Sequence, residues 1–556
     1  MLETTLVPEP INQQSPDLSH NCFVIRNAGA RNRFRLEKAA GMGYRDACSH
    51  FRWMNPMSKA KKTAVTPTRE ENFPEWYQQV IKASDMAENS PVRGCMVIKP
   101  WGYGIWEAIQ RDLDRRIKET GHENCYFPLF IPLSFLEKEA AHVEGFAKEM
   151  AVVTHHRLVA EDGKLVPSGK LEEPLVVRPT SETIIGDAFA RWIQSYRDLP
   201  MLVNQWANVV RWEMRPRIFL RTAEFLWQEG HTAHATAEEA MDETLKMLEV
   251  YRVMAEEVLA MPVIVGEKPA HERFPGADKT YSIEAMMQDG KALQAGTSHF
   301  LGQHFSKAQN IRYQTAQGGE EFCYTTSWGV STRLIGGVIM SHADDNGLRV
   351  PPRIAPKQIV FVPITRADGD EALIEDFLAP IVKDLSAQSF GGERLRVHVD
   401  RRPLAPPEKR WEWVKKGAPI ICEVGPRDVA GGSVAMIRRD GELKGQITPK
   451  DELVSRAAAI LEDIQKTLFT QAATALKERT VTVRTLDDFL AVFADDTTFG
   501  RKFVRARWCG DSDTLAKLDE YSITIRNVPF DQDGEAGTCV LSGRPATQEV
   551  IFAKSY

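Results

Sequence analysis

The chain has 556 residues, 43% of them hydrophobic and 26% charged, with a formal net charge of −6. That length calls for several domains rather than one core, and no run of about 18 apolar residues offers a membrane span. The slight acidity excludes a global basic field, so any nucleic-acid partner must be held by a local patch.

The eight cysteines include no C-x-x-C pair. This argues against a disulfide framework or a zinc ribbon and for a reducing, cytoplasmic setting. Met1 to His20 is polar and lacks the apolar stretch of a secretory leader. Residues 1–56 show no helical or strand periodicity and are arginine-rich from Arg26 to Arg52, so they read as a disordered or non-native extension. Translation is expected to start at Met57, and a natural peptide from 1–56 would refute that.

Ile105, Ile109, Leu113 and Ile117 recur every fourth residue and predict an amphipathic helix over Gly102 to Thr120. Cys125 to Ile131 reads as a short apolar strand, placed at an edge or interface because Pro128 cannot donate to a ladder. Val209 to Glu213 and Phe219 to Phe225 read as two strands flanking a basic loop with Arg215 and Arg217. Thr236-x-x-Glu239 is a capping box opening a helix that runs to Leu259. Pro351, Pro352 and Pro356 mark a linker near 350–357.

Beyond it, strands at Ile359 to Ile364, Leu395 to Val399 and Ile420 to Val424 alternate with helices at 370–385 and 406–416, which implies a small parallel or mixed α/β sheet. A long helix over Lys450 to Lys477 leads into a mixed final segment. The division expected is therefore 57–350, 357–460 and 461–556.

The chemistry concentrates around the basic loop. Planar arginine forks match phosphate oxygens bidentately, although the same residues would serve a hairpin with solvated arginines. Arg211-x-Glu213 followed by Arg221-x-x-x-Phe225 resembles the second signature motif of class II aminoacyl-tRNA synthetases. The segment through Pro128 resembles the first, which builds the dimer interface in that family. Gly329 to Gly337, with Arg333 opening a helix, resembles the third. The three occur in the family's order.

The resemblance implies an α+β fold: an antiparallel catalytic sheet of six or seven strands, an α/β anticodon-binding domain and a small α/β C-terminal domain. It implies catalytic roles for Arg211 and Arg333. ATP contacts fall on Arg211, Glu213, Arg221, Thr222, Phe225, Gln294, Thr297, Ser331 and Arg333, with Mg²⁺ alongside the nucleotide.

Arg178 to Thr183, Phe225 to His231 and Gln294 to His299 look like the prolyl-tRNA synthetase forms of the substrate loops. A proline pocket needs a carboxylate, a hydroxyl and a flat apolar wall; by resemblance Thr180, Glu182, Arg211, Trp227, Glu229 and His299 form it. Only 112 positions separate Arg221 from Arg333. This leaves no room for the editing domain of the bacterial type, and the likeness is nearest to the archaeal and eukaryotic type.

Glu423, Arg427 and Asp428 resemble anticodon-binding positions. Cys509 and Cys539 match two of the family's four zinc ligands, but Thr514 and the place near Leu541 supply none, so no structural zinc is expected. The implied partners are L-proline, tRNA specific for proline and a second copy of the chain, with no membrane. The rivals are a tRNA-binding or proline-sensing protein that does not aminoacylate, and a synthetase for threonine or histidine.

Overall fold

Asn72 opens the first helix, α1 (Phe73–Ala83): its side-chain oxygen accepts the N–H of Glu75 at 3.1 Å, and Pro74 sits in the first turn where its missing donor costs nothing. Phe73, Trp76, Tyr77, Val80 and Ile81 form its buried stripe. The next helix, α2 (Pro100–Glu119), buries Ile105, Ile109, Leu113 and Ile117 as expected, and starts two residues early because Pro100 occupies its first turn.

These elements belong to a computed structural model that describes residues 23–26, 35–38, 63–137, 150–365 and 369–556. The chain divides into Met1–Lys62 and Thr63–Tyr556. In the first unit Phe23–Arg26 pairs antiparallel with Arg35–Lys38; the rest of the expected 1–56 extension lies outside the described residues. Everything below concerns the second unit.

The expected strand over Cys125 to Ile131 is a correction. Only β1 (Glu123–Asn124) and a separate edge strand, Phe130–Pro132, form, the latter pairing with Lys164–Val177. Between them Pro128 interrupts the ladder. The link is held instead by cross-contacts: Phe127 N–H donates to Gln205 Oε1 at 2.7 Å, and Arg178 donates to the Phe127 carbonyl at 2.7 Å.

The main sheet contains β1, β2 (Met201–Val210), β3 (Glu224–His234), β4 (Val263–Glu267), β5 (Lys279–Met286), β6 (Ala292–Gly302) and β7 (Tyr324–Ser331), in the order β4-β5-β6-β7-β3-β2-β1. All neighbours are antiparallel except β1 and β2. The basic loop is longer than expected, since β2 ends at Val210 and β3 begins at Glu224. The capping box forms as read: Thr236 and Glu239 close α3 (Ala237–Val253), whose last turn widens into a π-turn over Met254–Val258. Helix α4 (Arg333–His342) follows β7, with Arg333 at its start.

Gly230 lies directly across from Trp328 in the β3–β7 register, where a Cβ would stand 2.0 Å from the indole. That indole is fully buried between His122 and Tyr251, so it has nowhere to go. Gly230→Ala is expected to destabilise the fold around this sheet by about 1–3 kcal/mol or more, read as a lower midpoint in urea.

After the proline linker, strands β8 (Ile359–Pro363), β9 (Val397–Val399), β10 (Ile420–Val424), β11 (Ser433–Arg438) and β12 (Gln446–Pro449) make a mixed sheet, parallel across β9-β8-β10 and antiparallel beyond. Helices α5 (Asp370–Ser386) and α6 (Pro406–Lys416) match the expected ones; the strand read from Leu395 is confined to Val397–Val399. The boundary expected at 460/461 falls inside one helix, Lys450–Glu478, which gives Leu453, Leu461 and Leu468 to the second core.

The final segment carries β13 (Thr480–Thr482), β14 (Phe503–Trp508), β15 (Ile523–Pro529) and β16 (Gln548–Lys554). Strand β15 pairs with β4 at Gly266 and Glu267, so the main sheet continues into an eleven-stranded one. No local pattern announces this join. Among the described residues no helix is long and apolar enough to cross a membrane.

Candidate active site

A sheet's alternation decides which residues share a face. In register, Trp227, Glu229 and His231 on β3 stand opposite Ser331, Gly329 and Ser327 on β7, and the last two stand opposite Thr297 and His299 on β6. All eight line a cleft of about 370 Å³, together with Thr180, Glu182, Arg211, Phe225, Gln294 and Arg333. Gly329 keeps its floor low: a Cβ there would come 3.1 Å from the Gln228 carbonyl.

Of the three arginines in the cleft lining, Arg211 and Arg333 come from different elements. Just past β2, Arg211 donates through Nε to the Pro179 carbonyl at 2.8 Å, and its guanidinium lies 5.7 Å from the Phe225 ring and 5.6 Å from Trp227. Arg333 Nε donates to the Leu220 carbonyl at 3.3 Å. Burial, followed by the charges of Arg221 and Arg211, pushes Arg333 down to about 10. Concentrated positive charge lining a cleft is an anion trap.

At the other end Glu229 is buried and heavily bonded. Ser181 and Gln205 donate to its Oε1 at 2.6 and 2.7 Å, and His231 Nε2 lies 3.0 Å from Oε2. Burial alone would raise this carboxyl, but His231, Ser181 and Gln205 hold it below the usual range. His231 is raised in turn, its burial outweighed by Glu229 and by the charge of Glu182. Thr180 hydrogen-bonds Glu182 at the rim. His299 shares a hydrogen bond of 3.0 Å with Thr280 and lies 4.8 Å from the Phe274 ring; burial and the nearby His231 push it down to about 3. A neutral imidazole presents one donor and one acceptor.

Three expected nucleotide contacts stand outside the cleft lining. Glu213 accepts from the Arg215 N–H at 2.7 Å and pairs with Arg221 at 3.2 Å. Thr222 is buried and donates to the Glu224 carbonyl at 2.7 Å. Sequence reading ended a substrate-loop segment at His231 without giving it a role, and passed over Lys268, Glu272, Arg273, Phe274 and Thr280, all in the lining. For His231 the signal was present, since period-two alternation from Trp227 and Glu229 points to it.

Farther off, Glu423 lies on β10, 3.6 Å from Arg410, while Asp428 caps its own short helix by accepting the Gly425 N–H at 2.9 Å; Arg427 is exposed beside it. Around Cys509, Arg544 approaches the sulfur at 3.3 Å and also pairs with Asp511, and the Thr514 hydroxyl bonds Trp508 Nε1 at 2.9 Å.

Residues 167–342 match the tRNA synthetase class II core domain (G, H, P, S and T). Residues 358–459 match the anticodon binding domain, and 495–556 the C-terminal domain of prolyl-tRNA synthetase. The proline–tRNA ligase of Protochlamydia amoebophila (strain UWE25) is 61% identical over 505 residues, covering 90% of this chain and all 100% of that protein. This chain belongs to the prolyl-tRNA synthetase family. The proline–tRNA ligase of Bdellovibrio bacteriovorus (strain ATCC 15356 / DSM 50701 / NCIMB 9529 / HD100) is 58% identical over 496 residues, 89% of this chain and 99% of that one. A crystal structure of prolyl-tRNA synthetase from Cryptosporidium parvum, complexed with halofuginone and AMPPNP, aligns with a TM-score of 0.79 at 36% identity, covering 89% and 97% of the two chains. The three expected parts of the fold thus each have a family counterpart in this order along the chain.

Three buried histidines make the stability of this fold pH-sensitive. Burial pushes His234 and His342 down to about 4 and His299 to about 3; in His342 a bond to the Leu259 carbonyl only partly offsets it. The unfolded chain takes up protons that the folded state refuses, so their contribution is intact above about pH 6.5 and is lost as pH falls. His231 works oppositely: its contribution is present below about pH 6.5 and lost as pH rises through its elevated value. Each depressed histidine adds up to about 1.4 kcal/mol per pH unit. The unfolding midpoint is expected to drop from pH 7 to pH 5, and His342→Gln to make that slope shallower.

Proposed function

We propose that this chain is a proline–tRNA ligase that activates L-proline with ATP and passes the prolyl group to tRNA specific for proline. The observation that carries the reading is the pairing, in one cleft, of an arginine-rich end holding Arg211 and Arg333 with an end built from Glu229, His231, Trp227 and His299. In the first step a carboxylate oxygen of proline attacks the α-phosphorus, the bond to the bridging oxygen breaks, and pyrophosphate leaves. In the second, a hydroxyl of the tRNA's terminal adenosine attacks the prolyl carbonyl and releases AMP.

Arg211 and Arg333 serve as fixed charges that stabilise the transition state without reorganising, so the chain needs no nucleophile of its own. Phe225 offers adenine a ring face, with Glu213, Arg221, Thr222, Gln294, Thr297 and Ser331 around the nucleotide. Glu229 and Glu182 meet the secondary ammonium, Thr180 supplies a hydroxyl, and Trp227 and His299 wall the ring. The cleft carboxylates are already engaged: Glu182 with Thr180, Glu229 with His231, Glu272 with Lys268. That donor set fits Mg²⁺ carried in on the nucleotide's phosphates rather than caged by protein, where it would neutralise phosphate charge.

Glu423, Arg427 and Asp428 are assigned to the anticodon, with 57–350, 357–460 and 461–556 as the functional divisions. A homodimer in the cytoplasm is part of the same reading: the six free cysteines among the described residues accord with a reducing compartment, and the dimer follows from the resemblance of the segment through Pro128 to the family's first signature motif. The archaeal and eukaryotic subtype rests on the short Arg221 to Arg333 interval, with relatives of similar aligned length also found in bacteria. The test is charging: purified chain with ATP, Mg²⁺ and tRNA is expected to accumulate prolyl-tRNA from proline and not from threonine or histidine. Charging by either of those instead would refute it.

A further inference from the structure

Beside the cleft three charged side chains meet, each at least nine-tenths buried: Glu284, Lys268 and Arg526, with side-chain exposures of 0%, 3% and 9%. Lys268 Nζ lies 3.0 Å from Glu284 Oε1, and Arg526 donates to Oε2 through Nε at 3.2 Å and an η-nitrogen at 3.1 Å. The Ser282 hydroxyl adds a bond to Oε1 at 3.1 Å, and the other η-nitrogen of Arg526 donates to Thr524 Oγ1 at 2.8 Å. Burying three charges is costly unless geometry compensates, and here every Glu284 oxygen is satisfied.

The cluster adjoins the reaction site. Lys268 lines the cleft. Glu284 stands opposite Gln294 in the β5–β6 register, hence on the sheet face that Gln294 gives to the cleft. Arg526, by contrast, arrives on β15 of the C-terminal segment, 242 residues away in sequence. The charges of Glu284 and Arg526 both act on Arg333.

We propose that Arg526 is a positioning residue for the adenylation step: the C-terminal strand inserts it against Glu284 and offsets that carboxylate's charge, so that the positive field of Lys268 and Arg333 reaches the nucleotide's phosphates. Without it, Glu284 keeps only Lys268 as a counter-charge, cancels more of that cation's field and repels phosphate. The C-terminal segment thereby completes the active site through its pairing with β4. The inference rests on the activity proposed above.

Proline-dependent ATP/pyrophosphate exchange, with ATP and proline varied separately, tests it. Arg526→Met is expected to raise the KM for ATP about 10-fold or more while the KM for proline stays within about twofold. Arg526→Lys, which loses the two-pronged contact, is expected to raise it about threefold. Glu284→Gln/Arg526→Met removes the stranded charge and is expected to return the ATP KM to within about threefold of wild type. An unchanged ATP KM in folded Arg526→Met, or a double variant no better than the single, would overturn the proposal. Should Arg526→Met not fold, Arg526→Lys decides, an unchanged ATP KM overturning it. Wild type that shows no exchange would fail the activity reading instead.

Discussion

Arg333→Ala is expected to lower proline-dependent ATP/pyrophosphate exchange by about 10²–10³-fold, the loss typical of removing one preorganised charge from a transition state. The expectation follows from where Arg333 sits. It opens α4 against the cleft, its Nε is fixed on the Leu220 carbonyl, and Arg211 and Arg221 are near enough to depress it. A cation held against like charge has its field directed at whatever anion arrives. The same crowding predicts that Arg333→Ala folds at least as well as wild type, because the variant relieves repulsion and leaves no buried partner charge unpaired. Activity and stability should therefore separate: exchange collapses while the thermal midpoint stays within a few degrees. A parallel fall in both would make Arg333 a structural residue.

Glu229→Gln is expected to behave oppositely and damage both. Its carboxylate is the acceptor for Ser181, Gln205 and His231, and breaking a buried pair by removing one partner costs about 3–5 kcal/mol. If Glu229 also meets the substrate ammonium, losing a charged hydrogen bond worth about 1.5–3 kcal/mol raises the KM for proline roughly 10- to 150-fold. The ATP KM should hardly move. A lowered unfolding midpoint with an unaltered proline KM would show Glu229 to be scaffold and transfer the ammonium to Glu182.

Much of this was legible because it is local. The Thr236–Glu239 box states a helix start in four letters, and β8 is a continuous apolar run while β10 is apolar but for Glu423. Trp227, Glu229, Thr297, His299 and Ser331 are named through resemblance to the family's motifs; alternation pairs Trp227 with Glu229 and Thr297 with His299, and the register of β3, β7 and β6 brings them to one face. What escaped is non-local or irregular. Lys268 to Phe274 is a loop with no period to betray it. Pro128 broke a strand that hydrophobicity alone had suggested. The join of the C-terminal strands depends on Gly266, where a Cβ would come 2.2 Å from the Val528 carbonyl; nothing near Gly266 in sequence marks that approach. The Glu284–Arg526 contact likewise joins two strands whose neighbourhoods look ordinary.

The central claim is that one cleft activates proline with ATP. The measurement that tests it most directly is amino-acid-dependent ATP/pyrophosphate exchange by the purified chain with Mg²⁺, comparing proline with other amino acids and wild type with Arg333→Ala. Exchange that requires proline and collapses in the variant is the predicted result. Folded protein that exchanges with no amino acid would contradict the account and favour a tRNA-binding or proline-sensing role.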